Sequence, residues 1–176
     1  DGAVSNVIWD APLASRIHAL VSSSANDTNG GTGANVVRVY GLPAWDKKEI
    51  SEDVTLNGAG AVNTANSYVI IHRMIVTNYG SAGPNVGAIT ATAATDATVT
   101  ATIAIGNGQT LMAIYGIPNG YRLEMTNYYS SLLAATAAST KVNISLLYNS
   151  MAASFRTGYV VKHNIGIDNV ASGAVT

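Results

Sequence analysis

The segment YVIIHRMIVTN, residues 68–78, is the longest run of strand-forming residues in the chain. Ile71 and Ile75 alternate with Ile70 and Met74, so an extended segment would present large apolar side chains on both faces. A strand that is apolar on both faces is typical of a sheet covered on two sides. The segment therefore predicts a central strand within a β-sheet core.

Shorter segments with the same two-residue period flank this strand, and turn residues separate them at intervals of about 8 to 12 residues. The clearest turns are Gly106-Asn107-Gly108 and Pro118-Asn119-Gly120, because Pro presets φ and Gly accepts a positive φ. The predicted strands are residues 16–24, 36–42, 53–57, 68–78, 86–93, 98–105, 110–117, 121–127, 141–149 and 155–165. About ten short strands at this spacing are typical of a sandwich or a barrel.

The composition favours strands over helices. Glu occurs at three positions and Gln at one, whereas the wet face of a soluble helix draws on Glu, Gln, Lys and Arg. We therefore predict an all-β fold, a single-domain antiparallel β-sandwich of jelly-roll type over residues 16–176, with helix in fewer than about a tenth of the residues. Residues 1–15 lack the alternation and are predicted to form an N-terminal arm.

Charge and composition exclude several classes of function. Charged residues make up 11% of the chain, against a usual share of about 25%, and the net charge is -1. A protein that binds nucleic acid by neutralising phosphates needs many more cations. The 48% share of hydrophobic residues argues against disorder, and no apolar run is long enough to span a membrane. The absence of cysteine excludes disulfides, thiolate catalysis and cysteine zinc sites.

No cluster of residues in the sequence indicates catalysis. The histidines His18, His72 and His163 lie in three separate predicted strands without nearby carboxylates, and separate core histidines are favoured over a metal site. Asp27 begins a segment that resembles a calcium loop, but Gly30 stands where the third oxygen ligand is needed, so a plain turn is favoured. We predict no enzymatic activity, no catalytic residues, no cofactor and no metal.

The N-terminal arm is the first candidate for an interface. It contains Ile8, Trp9 and Leu13, and a buried tryptophan is a strong anchor at protein interfaces. We predict that these three residues, together with Trp45, contact a neighbouring subunit or the surface on which the protein assembles; the alternative for the arm is a frayed chain end. A second hypothesis is a carbohydrate-binding module, in which a row of exposed aromatic residues, including Trp45, Tyr128 and Tyr129, stacks on sugar rings.

Six motifs together resemble a family of phage proteins. They are SSSANDT (22–28), GTGA (31–34), VRVYGL (37–42), SEDVTLNG (51–58), AVNT (61–64) and GNGQTLMAIY (106–115), the last followed by Ile117-Pro118. This pattern is similar to structural proteins of tailed bacteriophages that infect marine and freshwater bacteria. The resemblance covers roughly residues 16 to 165, and it consists of strand and turn residues.

The resemblance implies a β-rich virion component without catalytic residues. A capsid decoration, or cement, protein on the outer capsid surface is the first expectation, and a head-fibre, neck or tail component is the alternative. The expected partners are the major capsid protein and further copies of the chain, as a homotrimer, with no nucleic acid and no membrane. Closed symmetry would repeat a modest contact several times and so strengthen binding.

Overall fold

The computed structural model describes residue 9 and residues 11–127, 140–149 and 159–169. The described residues form nine strands and no helix, and every strand pairing is antiparallel. The strands are β1 (His18–Ser22), β2 (Ala34–Leu42), β3 (Ile50–Thr55), β4 (Val62–Asn63), β5 (Ile70–Tyr79), β6 (Ile89–Ala93), β7 (Val99–Ile103), β8 (Thr140–Asn149) and β9 (Tyr159–Asn169). The predicted all-β, antiparallel class is confirmed. Among these residues there is no helix long and apolar enough to cross a membrane.

The chain divides into two compact units. The first comprises Trp9–Leu123 and contains β1 to β7; the described residues after Leu123, with β8 and β9, belong to the second. In the second unit β8 and β9 form a hairpin whose register runs from Thr140 opposite Asn169 to Asn149 opposite Tyr159. The predicted boundary between an arm (1–15) and a sandwich domain (16–176) stays a prediction.

The first unit contains two sheets that share one hydrophobic core. One sheet has the order β4-β1-β6-β7 and the other the order β3-β2-β5. The buried side chains of both sheets form a single cluster, which includes Leu20, Val37, Val39, Val54, Ile71, Met74, Ile89 and Ile103. Strand β5 contacts β7, and β3 contacts β4. The alternation that predicted these strands therefore places one face of each sheet against the shared core.

Strand β5 contains the apolar segment that predicted a central strand, but it is the outer strand of its sheet. It pairs with the strand β2 on one side, and on the other side Ile75 forms an isolated bridge with Gln109. The segment after β7 follows its other side without forming a strand: the Val76 amide donates to the Gly108 carbonyl (2.7 Å), and the Thr110 amide donates to the Met74 carbonyl (2.9 Å). The prediction of a central position is therefore wrong. The edge of β5 that no strand covers is covered instead by the loop segment after β7.

Two of the predicted strands are absent from the structure. Residues 110–117 and 121–127 form neither a strand nor a helix. Within the first of them Leu111 and Tyr115 are exposed, whereas Met112 is half-buried and packs against the core. Alternation of exposed and covered side chains does not require a neighbouring strand, so the pattern did not predict a pairing partner.

Some predicted elements fall outside the described residues. Residues 128–139, interpreted as one helical turn or an irregular loop, are among them. So is the first part of the predicted strand 155–165. The described remainder of that strand belongs to β9, which continues to Asn169.

The tight turn between β6 and β7 contains two non-glycine residues with positive φ. Thr95 has a φ of 72° and Ala97 a φ of 54°. A left-handed conformation costs a residue with a side chain about 1–2 kcal/mol. Asp96, between them, accepts two hydrogen bonds from the Arg16 guanidinium, at 3.1 and 3.2 Å, and one from the Leu13 amide at 2.9 Å. The turn therefore positions a carboxylate that binds the segment preceding β1.

Replacing Ala97 with glycine is expected to stabilise the first unit by about 0.5–1 kcal/mol. Glycine removes the left-handed penalty, and this gain exceeds the extra entropy of the unfolded chain. Urea denaturation followed by tryptophan fluorescence measures the change, since Trp9 and Trp45 both lie in this unit. The matched control is Ala94→Gly in the same turn, where φ is not positive and no gain is expected. Equal effects of the two substitutions would contradict the interpretation.

Candidate functional site

A surface cleft of about 240 Å³ lies in the first unit. Two segments form it: residues 48–49, directly before β3, and residues 115–123. The lining residues are Lys48, Glu49, Tyr115, Ile117, Pro118, Tyr121, Arg122 and Leu123. The cleft therefore combines two tyrosines and three aliphatic side chains with two cations and one carboxylate.

Local backbone contacts bring the two segments together. The Asn119 amide donates to the Trp45 carbonyl at 2.5 Å, and the Tyr121 amide closes a tight turn onto the Pro118 carbonyl at 3.0 Å. Gly116 is buried, and a Cβ at this position would lie 2.9 Å from Cγ2 of Ile70. Glycine thus allows the segment to approach β5 closely, and the hydrogen bond to Trp45 fixes it beside residues 48–49.

A buried histidine contacts two of the residues that line the cleft. His72 Nε2 lies 2.6 Å from Glu49 Oε2, and the His72 ring lies against the Tyr115 ring with centroids 4.7 Å apart. His72 is buried, whereas the Glu49 side chain is partly exposed. Burial lowers the pKa of His72 below its ordinary 6.5, and the carboxylate of Glu49 only partly opposes this.

The geometry favours a neutral His72 that donates from Nε2 to Glu49. His72 Nδ1 is buried and has no hydrogen-bond partner among the described residues, so a second ring proton would have no acceptor. A neutral imidazole held in this way positions Glu49, one of the residues that line the cleft. The sequence predicts that His72 is a separate core histidine, and nothing in it indicates the contact with Glu49.

The other histidines lie in different surroundings. His18 is fully buried in β1, with Nδ1 2.9 Å from the Arg16 carbonyl and its ring edge-on to Tyr68. Burial lowers the pKa of His18, against a smaller opposing effect of the Arg16 carbonyl. His163 lies in β9 of the second unit. In the part of the chain that the structure describes, no three His, Asp or Glu side chains are grouped as a metal site would need.

Asp27 is a buried structural anchor. Its carboxylate accepts hydrogen bonds from the Ser22 hydroxyl (2.5 Å) and from the amides of Ala34 (2.8 Å), Val86 (2.8 Å) and Gly87 (2.7 Å). These four donors occupy both carboxylate oxygens, which explains why a segment resembling a calcium loop is built as a turn. Burial opposes ionisation of Asp27, but the four hydrogen bonds outweigh it and hold its pKa below 3.8.

The predicted interface residues occupy different positions. Ile8 lies outside the described residues. Trp9 is half-buried, and its indole N–H donates to the Thr100 carbonyl of β7 at 3.2 Å. Leu13 is 64% exposed, and Trp45 is half-buried beside the cleft segment. The structure thus binds Trp9 to its own chain and leaves Leu13 at the surface, and the predicted role of the four residues at an interface stays a prediction.

The cleft has an apolar rim that the sequence pattern does not indicate. Tyr115, Tyr121 and Leu123 are 53%, 55% and 49% exposed. They were assigned to two predicted strands, where such residues would fill a core or subunit contacts. A carbohydrate-binding module is expected to have a row of exposed aromatic residues. Of that row, Trp45 is half-buried rather than exposed, and Tyr128 and Tyr129 lie outside the described residues.

Lowering the pH from about 7.5 to about 5 is expected to destabilise the first unit. The folded-state pKa values of His72 and His18 lie below 6.5, so the unfolded chain binds more protons in this range and the free energy of unfolding falls as the pH falls. Replacing His72 with glutamine keeps a donor for Glu49 but removes the titration. Urea denaturation across this range should give a flatter pH profile for H72Q than for the unaltered protein. Identical profiles would contradict the neutral, buried state of His72.

Comparison of the chain with protein-family models, with curated proteins and with solved structures found no match.

Proposed function

We propose that this protein is a structural component of a tailed-bacteriophage virion, and that it binds the outer surface of the capsid as a decoration, or cement, protein. The six motifs quoted above support this proposal, as does a composition with few charges. A surface with few charges suits a protein whose exterior is largely covered by neighbours, because net charge is what keeps free proteins apart.

The observation that carries the proposal is the apolar rim of the cleft. Tyr115, Tyr121 and Leu123 are large side chains, each about half exposed, and all three line the same cleft. Neighbouring exposed apolar groups mark contact sites on soluble proteins, and aromatic side chains are the usual anchors of such contacts. On this proposal the rim packs against the major capsid protein, with Lys48 and Arg122 at the edge of the contact.

We further propose that the two sheets of the first unit form a β-sandwich. The shared core cluster and the contacts of β5 with β7 and of β3 with β4 support two layers packed face to face. The jelly-roll connectivity stays a prediction. A sandwich would provide a rigid body from which residues 110–123 present the rim.

The test is the location of the chain in virions. Antibodies raised against the purified chain, used in immuno-electron microscopy on particles of the phage that encodes it, should label the head surface evenly. Labelling confined to the neck, head fibres or tail would replace the decoration proposal with the alternative virion position. Absence of the chain from washed particles would overturn the virion proposal altogether.

A double variant tests the surface itself. Tyr121→Ser with Leu123→Ser is expected to lower binding to capsids stripped of the protein by tenfold or more, since burial of one such side chain contributes about 1.5–3 kcal/mol. The control is Ile105→Ser, which removes an apolar side chain that is 66% exposed but does not line the cleft. Equal loss for both variants would exclude the cleft rim as the contact.

A homotrimer is the proposed oligomeric state. Three-fold and quasi-three-fold positions recur in capsid lattices, and a closed trimer presents three copies of each contact at once. Sedimentation equilibrium of the purified protein should give three times the chain mass of 18.1 kDa. A stable monomer at all concentrations would contradict this part of the proposal.

Carbohydrate binding is the second candidate, and the same cleft favours it. Tyr115 and Tyr121 offer half-exposed rings for stacking on a sugar, with the Glu49 carboxylate as an acceptor for hydroxyl groups. A glycan array is the direct test. Binding that is lost in Tyr115→Ala but kept in Ile105→Ser would support this candidate, and the absence of any bound glycan would reject it.

A further inference from the structure

Four Asn-Gly dipeptides occur in the chain, and in all four the asparagine is exposed. They are Asn29-Gly30, Asn57-Gly58, Asn107-Gly108 and Asn119-Gly120. The sequence analysis used such pairs only as turn signals. An asparagine that is followed by glycine is also the one most prone to lose ammonia from its side chain. Glycine has no side chain to hinder the attack of its own amide nitrogen on the asparagine.

The reaction needs a free glycine amide. The glycine nitrogen attacks Cγ of the preceding asparagine, a bond from nitrogen to Cγ forms, and the bond from Cγ to Nδ2 breaks. The side-chain NH₂ leaves with the glycine amide proton as ammonia, which gives a cyclic imide. Water then opens the ring at either carbonyl and yields aspartate or isoaspartate. An amide that donates a hydrogen bond must first break that bond.

Two of the four glycine amides are engaged in hydrogen bonds. The Gly58 amide donates to the Asp27 carbonyl at 2.8 Å, and the Gly108 amide donates to Asn85 Oδ1 at 2.9 Å. Gly58 is buried, and Asn85, the acceptor for Gly108, is also buried. Attack at Asn57 or Asn107 therefore requires local opening of the structure.

The other two glycines lie in tight turns. Among the described residues no acceptor binds the amide of Gly30 or of Gly120, and nothing lies within 4 Å of where a Cβ would stand on either residue. The hydrogen bonds that close these two turns are made by the residues that follow, Gly31 and Tyr121, and they leave the central amide unused.

We propose that Asn29 and Asn119 are sites of spontaneous deamidation in the folded protein, and that hydrogen bonding of the next amide protects Asn57 and Asn107. The proposal does not depend on the virion function. Modification of both sites takes the net charge from -1 to -3, since each event adds one carboxylate. At Asn119 the new charge, or an isoaspartate backbone, arises in the turn between Pro118 and Tyr121, which both line the cleft.

Peptide mapping by mass spectrometry tests the proposal. The folded protein is incubated in mildly alkaline buffer, and the exchange of NH₂ for OH is followed at each of the four asparagines. Deamidation at Asn29 and Asn119 is expected to be at least about tenfold faster than at Asn57 and Asn107, because the latter two must first break a hydrogen bond. The same incubation in urea should remove the difference and give similar rates at all four positions.

Two results would overturn the proposal. One is equal rates at all four positions in the folded protein. The other is a folded-state rate at Asn29 or Asn119 as low as that at the protected pair. Asn119→Gln provides the matched variant, since it keeps an amide side chain but reacts more slowly. Isoelectric focusing of the aged variant should then show one fewer acidic band than the unaltered protein shows.

Discussion

Replacing Asp27 with alanine is expected to destabilise the first unit by about 3 kcal/mol or more. The substitution leaves one hydroxyl and three backbone amides without an acceptor, and each unsatisfied buried donor costs about 1–3 kcal/mol. This loss is a large part of the free energy of unfolding of an ordinary domain, which is about 5–15 kcal/mol. Urea denaturation followed by tryptophan fluorescence measures the loss.

The control for Asp27 is Asp46→Ala. Asp46 has a side chain that is 67% exposed and lies 3.7 Å from the Lys47 ammonium, so its removal should change the stability by less than about 0.5 kcal/mol. Acid provides a second test. Because the folded-state pKa of Asp27 lies below 3.8, its contribution is present above that value and is lost as the pH falls further. A loss of less than about 1 kcal/mol in D27A would contradict the role of anchor.

Replacing Gly41 with alanine is expected to destabilise the protein by about 3 kcal/mol, for a steric reason. Gly41 lies in β2, where the register with β5 shifts between Tyr40 and Gly41. A Cβ there would overlap the carbonyl oxygen of Ile70 and lie 2.8 Å from Cδ1 of Tyr68. The first of these atoms is backbone, so relief requires β2 and β5 to separate, and forced overpacking costs about 1–3 kcal/mol or more.

Gly166→Ala is the control: it also replaces a strand glycine with alanine, but without a backbone clash. Gly166 lies in β9, where the nearest atom to an added Cβ is 3.4 Å away. This substitution should leave the fluorescence transition of the first unit unchanged, whereas Gly41→Ala should move it to lower urea. Thermal unfolding should show the same order. Equal midpoints for G41A and the unaltered protein would contradict the close approach of the two strands.

Local patterns in the sequence predicted most of the strands, because alternation reports directly which side chains face a core. Strands β1, β6 and β7 lie within predicted segments, β2 begins two residues before its predicted segment, and β5 ends one residue after its own. The same reasoning failed over residues 110–127, which form no strand although 110–117 alternate in burial, and of which 121–127 are all exposed. Alternation depends on burial alone, and pairing depends on a partner that no local window contains.

The candidate site was harder to predict because its contacts are long-range. Glu49 and His72 are separated by more than twenty residues, and nothing in either segment indicates the other. Asp27 was recognised as a turn residue from its neighbours, but two of its donors, Val86 and Gly87, lie about sixty positions away. A single sequence gives residue types and local periods, whereas these pairs are fixed only by the order of strands in the sheets.

The pairing of β1 with β6 has a consequence for the synthesis of the chain. His18 lies opposite Ala93, so β1 must wait for about 75 further residues before one of its partners exists. At about 5–20 residues per second this delay is roughly 4–15 s. During that time the edge of β1 that pairs with β6 has no hydrogen-bonding partner. His18 and Leu20, which are buried in the folded protein, are then exposed to water on the ribosome-bound chain. Non-local pairing of this kind slows folding, so the yield of native protein should depend on the speed of translation and on chaperones that shield β1.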